Sequence, residues 1–341
     1  MLIAGDIGGT KTALALFSKE AGPHSPVAEA QFHCAEYPSL EAIVKEFLAK
    51  SGTRVGRACF AIAGPVIGGR VKTTNLPWVI EETALAQALN LNPNSVHLIN
   101  DLEAIAWAVP ILRPIDVQTI NPGELVRNSA IGVIAPGTGL GESFLTWDES
   151  RYHAHSSEGG HSDFAPTDER QIHLLEYMLK KFDHVSVERV CSGIGIPNIY
   201  GYLRDVERIP EKPEVERLIA AAGDPSVTII QHALDSGSPS TLCAATIDMF
   251  VSILASEAAN LAVKVLATGG IYVAGGVSVH ILAALQRPAF LQSFKRKGRF
   301  AELMARIPIH VVLSLPGLTG AAACGLEKLR SPSLPISCPA G

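Results

Sequence analysis

The 341-residue chain carries little charge: Asp, Glu, Lys and Arg together make up only 18% of it. Hydrophobic residues reach 47%, enough for a sizeable core, and this balance excludes disorder over most of the length. Basic runs are almost absent. The net charge is −5, and the one cationic cluster, Lys295-Arg296-Lys297-Gly298-Arg299, reads as a solvated helix end or loop. Nucleic acid and anionic membranes are therefore poor main partners. The six cysteines, at 34, 59, 191, 243, 324 and 338, include no C-x-x-C pair. Their spacing fits neither a zinc site nor a disulfide framework, which leaves reduced thiols in a cytoplasmic setting. Strand-like apolar character begins at Leu2, so no signal or transit peptide is expected. One long apolar stretch, residues 263–285, raises a membrane question. Lys264, Gly269-Gly270, Gly275-Gly276 and His280 interrupt it, and it reads better as helix end, turn, buried strand and glycine turn into a helix. Also missing are a short repeat period, a G-x-x-x-x-G-K-[ST] loop and a Rossmann G-x-G-x-x-G leading into a helix.

What the chain does contain is an alternation of strand and helix signals, which predicts an α/β protein. Residues 2–17 read as a hairpin, and 28–34, 57–63, 70–75 and 96–100 as strands. Residues 39–50 have helical spacing, with Leu40, Ile43, Val44, Phe47 and Leu48 on one stripe. Residues 80–89 and 102–108 are predicted helices. In the second half, 130–135, 143–147, 152–156, 271–274 and 309–314 read as strands. Residues 168–182 and 241–266 read as long helices, with shorter pieces at 214–222 and 226–234, and a small-residue helix at 318–329. The Pro/Ser-rich residues 331–341 are expected to be a disordered tail.

Two strand–turn–strand devices stand out. In the first, Gly5-Asp6-Ile7-Gly8-Gly9-Thr10-Lys11-Thr12 turns between apolar segments. Gly8 and Gly9 let the backbone press against a bulky anion, successive N–H groups can form an anion nest, and Thr10 and Thr12 offer hydroxyls. Asp6, at a strand end, suits Mg²⁺ held through water. An ordinary glycine-rich hairpin is the competing reading. The second device, Ala135-Pro136-Gly137-Thr138-Gly139-Leu140-Gly141, repeats the pattern far along the chain. A duplicated fold whose two halves close over one nucleotide would leave such a trace. Pro136 and Glu142 are unexpected flanks; Glu142 beside phosphates would repel them unless it points away or helps hold the metal.

Together these loops resemble the phosphate motifs of the actin-like ATPase superfamily. More specifically, the chain resembles the bacterial-type glucokinase family over residues 2–329. The resemblance rests also on Thr73-Thr74-Asn75-Leu76-Pro77-Trp78, Ile99-Asn100-Asp101-Leu102, Glu158-Gly159-Gly160-His161-Ser162-Asp163-Phe164-Ala165-Pro166, Glu188-Arg189-Val190-Cys191-Ser192-Gly193 and Ala274-Gly275-Gly276. It implies an actin-like, ribonuclease H-like duplicated α/β fold with two domains around a central cleft. The small domain would be residues 1–112 with 317–330, and the large one 113–316. It implies phosphoryl transfer from ATP to the 6-hydroxyl of glucose, Mg²⁺ as cofactor, and a homodimer.

Residue by residue, the resemblance implies Asp101 as the base that takes the 6-hydroxyl proton, with Asn100 on the ring hydroxyls. Read alone, an Asn-Asp pair after a strand is more often a turn or helix cap. Glu158 and His161 would bind adjacent sugar hydroxyls, the glycines between them allowing a sharp backbone approach to the ligand. A carboxylate and an imidazole offer suitable acceptors and a donor. A metal site is the other reading of a Glu/His pair with His153, His155 and His173 nearby, but no set of four ligands at familiar spacing completes it. Glu188 would complete the sugar contacts, though a solvated helix-start glutamate is the plainer alternative, and Asn75 would be a further pocket residue. Gly8, Gly9, Thr10, Gly137, Thr138 and Gly139 would contact the nucleotide phosphates. Gly275 and Gly276 would line the adenosine pocket, unless they serve close strand–helix packing. The rivals are a kinase for fructose, mannose or an N-acetylated amino sugar, and a non-catalytic sugar sensor.

Overall fold

The computed structural model describes residues 1–73, 76–235, 237–314 and 316–327. Two compact units divide the chain, Met1–Ile111 with Pro316–Gly341, and Leu112–Leu315. Asn75, Cys338 and the tail at 331–341 lie outside the described residues.

In the first unit, apolar runs bounded by turn residues give β1 (Leu2–Ile7), β2 (Lys11–Phe17) and β3 (Ala28–His33). They are followed by α1 (Leu40–Ser51), β4 (Arg57–Ile62), β5 (Arg70–Lys72), β6 (Val79–Glu81), α2 (Glu82–Leu89), β7 (Val96–Asn100) and α3 (Asp101–Ala108). The main sheet has the order β3-β2-β1-β4-β7. β1 pairs antiparallel with β2 and parallel with β4, and β4 pairs parallel with β7. β1 and β4 are buried almost throughout, as strands covered on both faces must be. Ile43, Val44 and Phe47 of α1 pack with Leu85 of α2 over one face. On the other, Ala104 of α3 joins Ala321 and Cys324 of the helix Gly317–Glu327. The helix expected at 80–89 starts two residues late, because Ile80 pairs with Val71 in the β5–β6 ribbon and is buried there.

The second unit contains β8 (Val117–Asn121), β9 (Ile131–Pro136), β10 (Leu140–Trp147), β11 (Tyr152–Ser157), α4 (Glu169–Leu179), α5 (Gly195–Asp205), α6 (Pro213–Ala221), α7 (Pro225–Ala233), α8 (Thr241–Val265), β12 (Ile271–Val273), α9 (Gly276–His280) and β13 (Ile309–Val312). Its sheet order is β11-β10-β9-β12-β13-β8. β9 pairs antiparallel with β10, which pairs antiparallel with β11; on its other side β9 pairs parallel with β12, which pairs parallel with β13. That repeats the first sheet: an antiparallel three-strand meander whose first strand continues into parallel neighbours. The duplication expected from the two glycine loops is therefore present, and each loop joins the first two strands of its own meander. β8, unpredicted, caps the far edge antiparallel to β13. α8 is long and apolar enough to cross a membrane, but most of it is buried inside this unit. It packs against α5, α7 and the helix Pro288–Phe294, so its hydrophobicity serves the core.

All five described cysteines are free and buried. The cationic cluster is less solvated than expected: Lys297 donates to Asn260 at 2.6 Å and Arg296 to the Thr167 carbonyl at 3.2 Å.

The helix Gly317–Glu327 lies so close to α3 that a Cβ on Gly320 would sit 2.5 Å from the Ala104 carbonyl carbon. Backbone cannot move aside as a flexible side chain can. Gly320→Ala is thus expected to destabilise the protein by about 1–3 kcal/mol, read as a lower urea midpoint at unchanged m-value; an unchanged midpoint would contradict this packing.

Candidate active site

In the first unit, three parallel strands end at one edge, where α/β proteins commonly bind ligands. Asp6 sits near the end of β1, and Asn100-Asp101 joins β7 to α3. Asn100 is the N-cap: its Oδ1 accepts from the Leu102 N–H at 2.8 Å, and its Nδ2 donates to the Gly64 carbonyl at 3.0 Å. The cap reading of the pair is thereby realised in Asn100. Each of its polar groups still has one hydrogen-bonding site to spare. Asp101 Oδ1 also accepts from Leu102 N–H, at 3.0 Å. Burial, then the neighbouring Asp101 carboxylate, pushes Asp6 up from an ordinary 3.8 to about 6. Asp6 occupies the space a Cβ on Gly317 would need, 2.6 Å from Oδ2. Gly317 was not singled out from sequence.

The first glycine loop is partly committed to itself. The Gly8 N–H donates to the Lys11 carbonyl at 3.0 Å, so it closes the turn. Thr10 is exposed, whereas Thr12 is fully buried with its hydroxyl 3.3 Å from Cys34 Sγ. Thr12 is therefore not a ligand donor, contrary to expectation: period-2 alternation turns it to the core.

In the second unit, three motif blocks converge on Leu140, the first residue of β10. Its N–H donates to Glu188 Oε2 at 2.9 Å. Its carbonyl lies where a Cβ on Gly160 would be. The Phe164 N–H to Val185 carbonyl and Val187 N–H to Ser162 carbonyl bonds, both 2.9 Å, stitch the block at 158–164 to the segment carrying Glu188. Two further bonds tie Gly193 and Ile194 to the Gly137 and Thr138 carbonyls, at 2.7 and 3.2 Å. The result is a row of polar side chains. His161 Nε2 is 3.8 Å from Glu158 Oε2, and His161 Nδ1 is 3.9 Å from Glu188 Oε1. Glu158 and His161 are well exposed, while the Glu188 side chain is only 20% exposed. The glycines between Glu158 and His161 do not approach a ligand as expected. Gly160 packs on Leu140, and Gly159 covers the carboxylate of Glu142, whose Cδ would be 2.8 Å from an added Cβ. Glu142 is 2% exposed and is turned away from the second loop's outer face.

A cavity of about 580 Å³ opens beside that loop, lined by Gly137, Thr138, Gly193, Asp224, Gly276 and His280 among others. The volume suits a nucleoside. Gly276 leaves open space there, but Gly275 does not line it. With φ of 85° it packs on Pro136, whose carbonyl carbon would be 2.8 Å from an added Cβ, so the packing alternative holds for Gly275. The stretch from Gly223 to Ile230 was missed because it lies far from any glycine motif in sequence. Its one signal was Asp224-Pro225, a helix cap followed by an N1 proline.

The glucokinase family model matches residues 3–328. The chain is 40% identical to a glucokinase of Nostoc punctiforme, covering 95% of this chain and 98% of that one. It belongs to the glucokinase family. It is therefore an ATP-dependent hexose kinase with the actin-like fold. A bifunctional glk protein of Paraburkholderia xenovorans is 37% identical over 96% of this chain but only 49% of its own length. Among solved structures, a glucokinase from an Antarctic psychrotroph superimposes with a TM-score of 0.80 at 29% identity, over 96% and 98% of the two chains. A glucokinase from Balamuthia mandrillaris, in complex with glucose, shares the fold with a TM-score of 0.78 at 21% identity, over 97% and 93%.

The histidines near the kinase's Glu158/His161 pair are otherwise engaged: His153 bonds to Asp148, and His155 stacks on Phe144 while bonding Thr146 at 2.8 Å. Among the described residues no group of three or more His, Cys, Asp and Glu is placed to hold a metal.

Asp6 yields a pH prediction. The folded protein keeps the Asp6 proton up to about pH 6, while the unfolded chain loses it near 3.8. The group's favourable contribution is thus complete below 3.8 and lost as pH rises through about 6. Its total is of order 3 kcal/mol. Asp6→Asn should remove that slope in urea unfolding of the ligand-free enzyme and raise stability at neutral pH; identical pH profiles for the two proteins would refute it.

Proposed function

We propose that this enzyme transfers the γ-phosphoryl group of MgATP to the 6-hydroxyl of glucose, with Asp101 as general base. The observation that carries this is the row Glu158, His161 and Glu188, fixed on one backbone crossing at Leu140. Two carboxylates and an imidazole present acceptors and a donor for a polyol, and such a site rejects sugars lacking a matching hydroxyl. The spare valences of Asn100 would hold ring hydroxyls beside Asp101. A carboxylate there accepts the attacking hydroxyl's proton, while the chemistry otherwise needs positioning and charge neutralisation. Gly137, Thr138 and Gly276 would receive the nucleotide at the cavity, and Gly8, Gly9 and Thr10 are proposed as phosphate contacts. Asn75 is proposed as a further sugar contact.

Mg²⁺ fits the donor set of the first unit. Asp6 and Asp101 raise each other's energy as like charges, which a divalent cation would relieve. Asp6 would hold it through water. When bound, Mg²⁺ would supply neutralisation of the developing phosphate charge. A cytoplasmic homodimer is the proposed setting, in keeping with the family and with the reduced, buried thiols.

A coupled assay with MgATP and a panel of hexoses tests the substrate. Glucose is expected to be turned over well, with fructose and N-acetylmannosamine poor; a reversed preference would retain the mechanism and change the sugar. Asp101→Asn is expected to lower kcat by about 10²–10⁴ with less effect on glucose KM. Glu158→Gln should instead act chiefly on KM. Full turnover by the Asp101 variant would exclude it as the base.

A further inference from the structure

Beneath Gly159 lies a group of ionisable side chains that the phosphoryl-transfer chemistry does not use. Glu142 enters from β10, two residues beyond Leu140, and its Oε1 is buried with no hydrogen-bond partner. Glu257 of α8, 4% exposed, lies beside it, and its Oε1 is likewise buried without a hydrogen bond. Two ionised carboxylates are acceptors only and would leave both oxygens unsatisfied; one proton between them satisfies both.

The surroundings decide which residue keeps it. Glu257 Oε2 accepts from Asn260 Nδ2 at 2.8 Å, and Lys264 Nζ stands 3.7 Å from Glu257 Oε1. Lys297 reaches the same Asn260 from beyond the helix Pro288–Phe294. Glu142 has the Gly159 backbone above it and the fully buried Cys191 thiol among its neighbours. The negative charge is thus best carried by Glu257 and the proton by Glu142. Burial and the Glu257 carboxylate together push Glu142 up to about 8, against the opposing pull of Lys264.

We propose that Glu142 is a positioning residue: as a neutral acid donating to Glu257, it holds the Gly159-Gly160 turn at the height that aligns Glu158 and His161. The proposal rests on the sugar-binding reading of those two residues. As pH rises through the Glu142 titration, a second negative charge appears under the turn, next to Glu257 and Cys191. Lys264 and Lys297 already serve Glu257 and its partner. The turn then shifts and glucose is held less well, while Asp101 is untouched.

The test compares the full-length wild-type enzyme with Glu142→Gln, whose amide donates to Glu257 at every pH. Glucose KM of the wild type should rise roughly threefold or more between about pH 7 and about pH 9.5, with a smaller change in kcat. Glu142→Gln should keep the neutral-pH KM within about twofold and lose the rise. Independently, infrared difference spectra of the wild type should show a protonated-carboxyl band at neutral pH. That band should fade over the same alkaline range and be missing in Glu142→Gln. An alkaline KM rise that persists in Glu142→Gln overturns the proposal, as does a wild-type spectrum without the band. The spectrum stands without the variant should Glu142→Gln fail to fold. If Glu158→Gln leaves KM unchanged while the band still titrates, the sugar reading fails instead, so the two failures are distinguishable.

Discussion

The second unit is organised around the main chain of one residue, Leu140. Its N–H is taken by a carboxylate from Glu188, and its carbonyl is roofed by Gly160. A charge-assisted bond to a backbone N–H is among the stronger polar contacts available, and it has a fixed direction. The missing Cβ at Gly160 then sets the distance at which the next strand of chain can lie. With those two constraints met, Glu188 and His161 must face one another, and the loop at Gly137–Gly139 must start where β10 does. The apolar core beneath supplies most of the stability, but it does not choose this alignment. Backbone-to-backbone contact does, because it tolerates no rotamer adjustment.

Buried charge is handled differently in the two units. In the first, Asp6 is desolvated beside Asp101, an arrangement that costs folding free energy and that a divalent cation would relieve. In the second, Glu142 and Glu257 are pressed together where Lys264 reaches only one of them. A shared proton is the cheaper solution there, since a neutral acid needs no counter-ion and can still donate. Of these two carboxylate pairs, the one left without a shared proton is the one at a strand edge open to a cation.

Much of this was legible in the sequence. The glycine loops, the Asn100-Asp101 step at a strand end and the Glu158-to-Pro166 block each combine local turn chemistry with residue types that a polyol or phosphate demands. The stripe on α1 and the run of β4 follow from periodicity and burial alone. What could not be read is which backbone each glycine faces. Gly159 and Gly160 looked like an opening toward ligand and are instead contacts with β10; Gly275 looked like a pocket wall and is a packing residue. Thr12 looked like a donor until strand register placed it against Cys34. Ile80 read as the first residue of a helix until a ribbon partner claimed it. These are tertiary facts: local sequence fixes the freedom of a residue, and the neighbour that uses that freedom arrives from far along the chain. The Gly223-to-Ile230 wall of the cavity is the same case, as no motif marks it.

Duplication lets one topology present two differently composed strand edges. A polyanionic nucleotide and a proton-accepting carboxylate disfavour each other, by several kcal/mol at close range in a water-poor site. In the first sheet the parallel strands end in Asp6 and Asn100-Asp101. In the second the corresponding edge ends in Pro136-Gly137 and Gly275-Gly276, with Glu142 withdrawn below the surface. The first edge thus ends in carboxylates of its own strands, whereas the second ends in small residues, with the Glu188 carboxylate brought to the loop from outside and held on the Leu140 N–H. Glu142 would add another carboxylate beside Glu188 if it faced the loop, since it follows Gly141 directly. Its burial against α8 therefore keeps a further negative charge away from that loop, and the proton shared with Glu257 is what makes that burial tolerable.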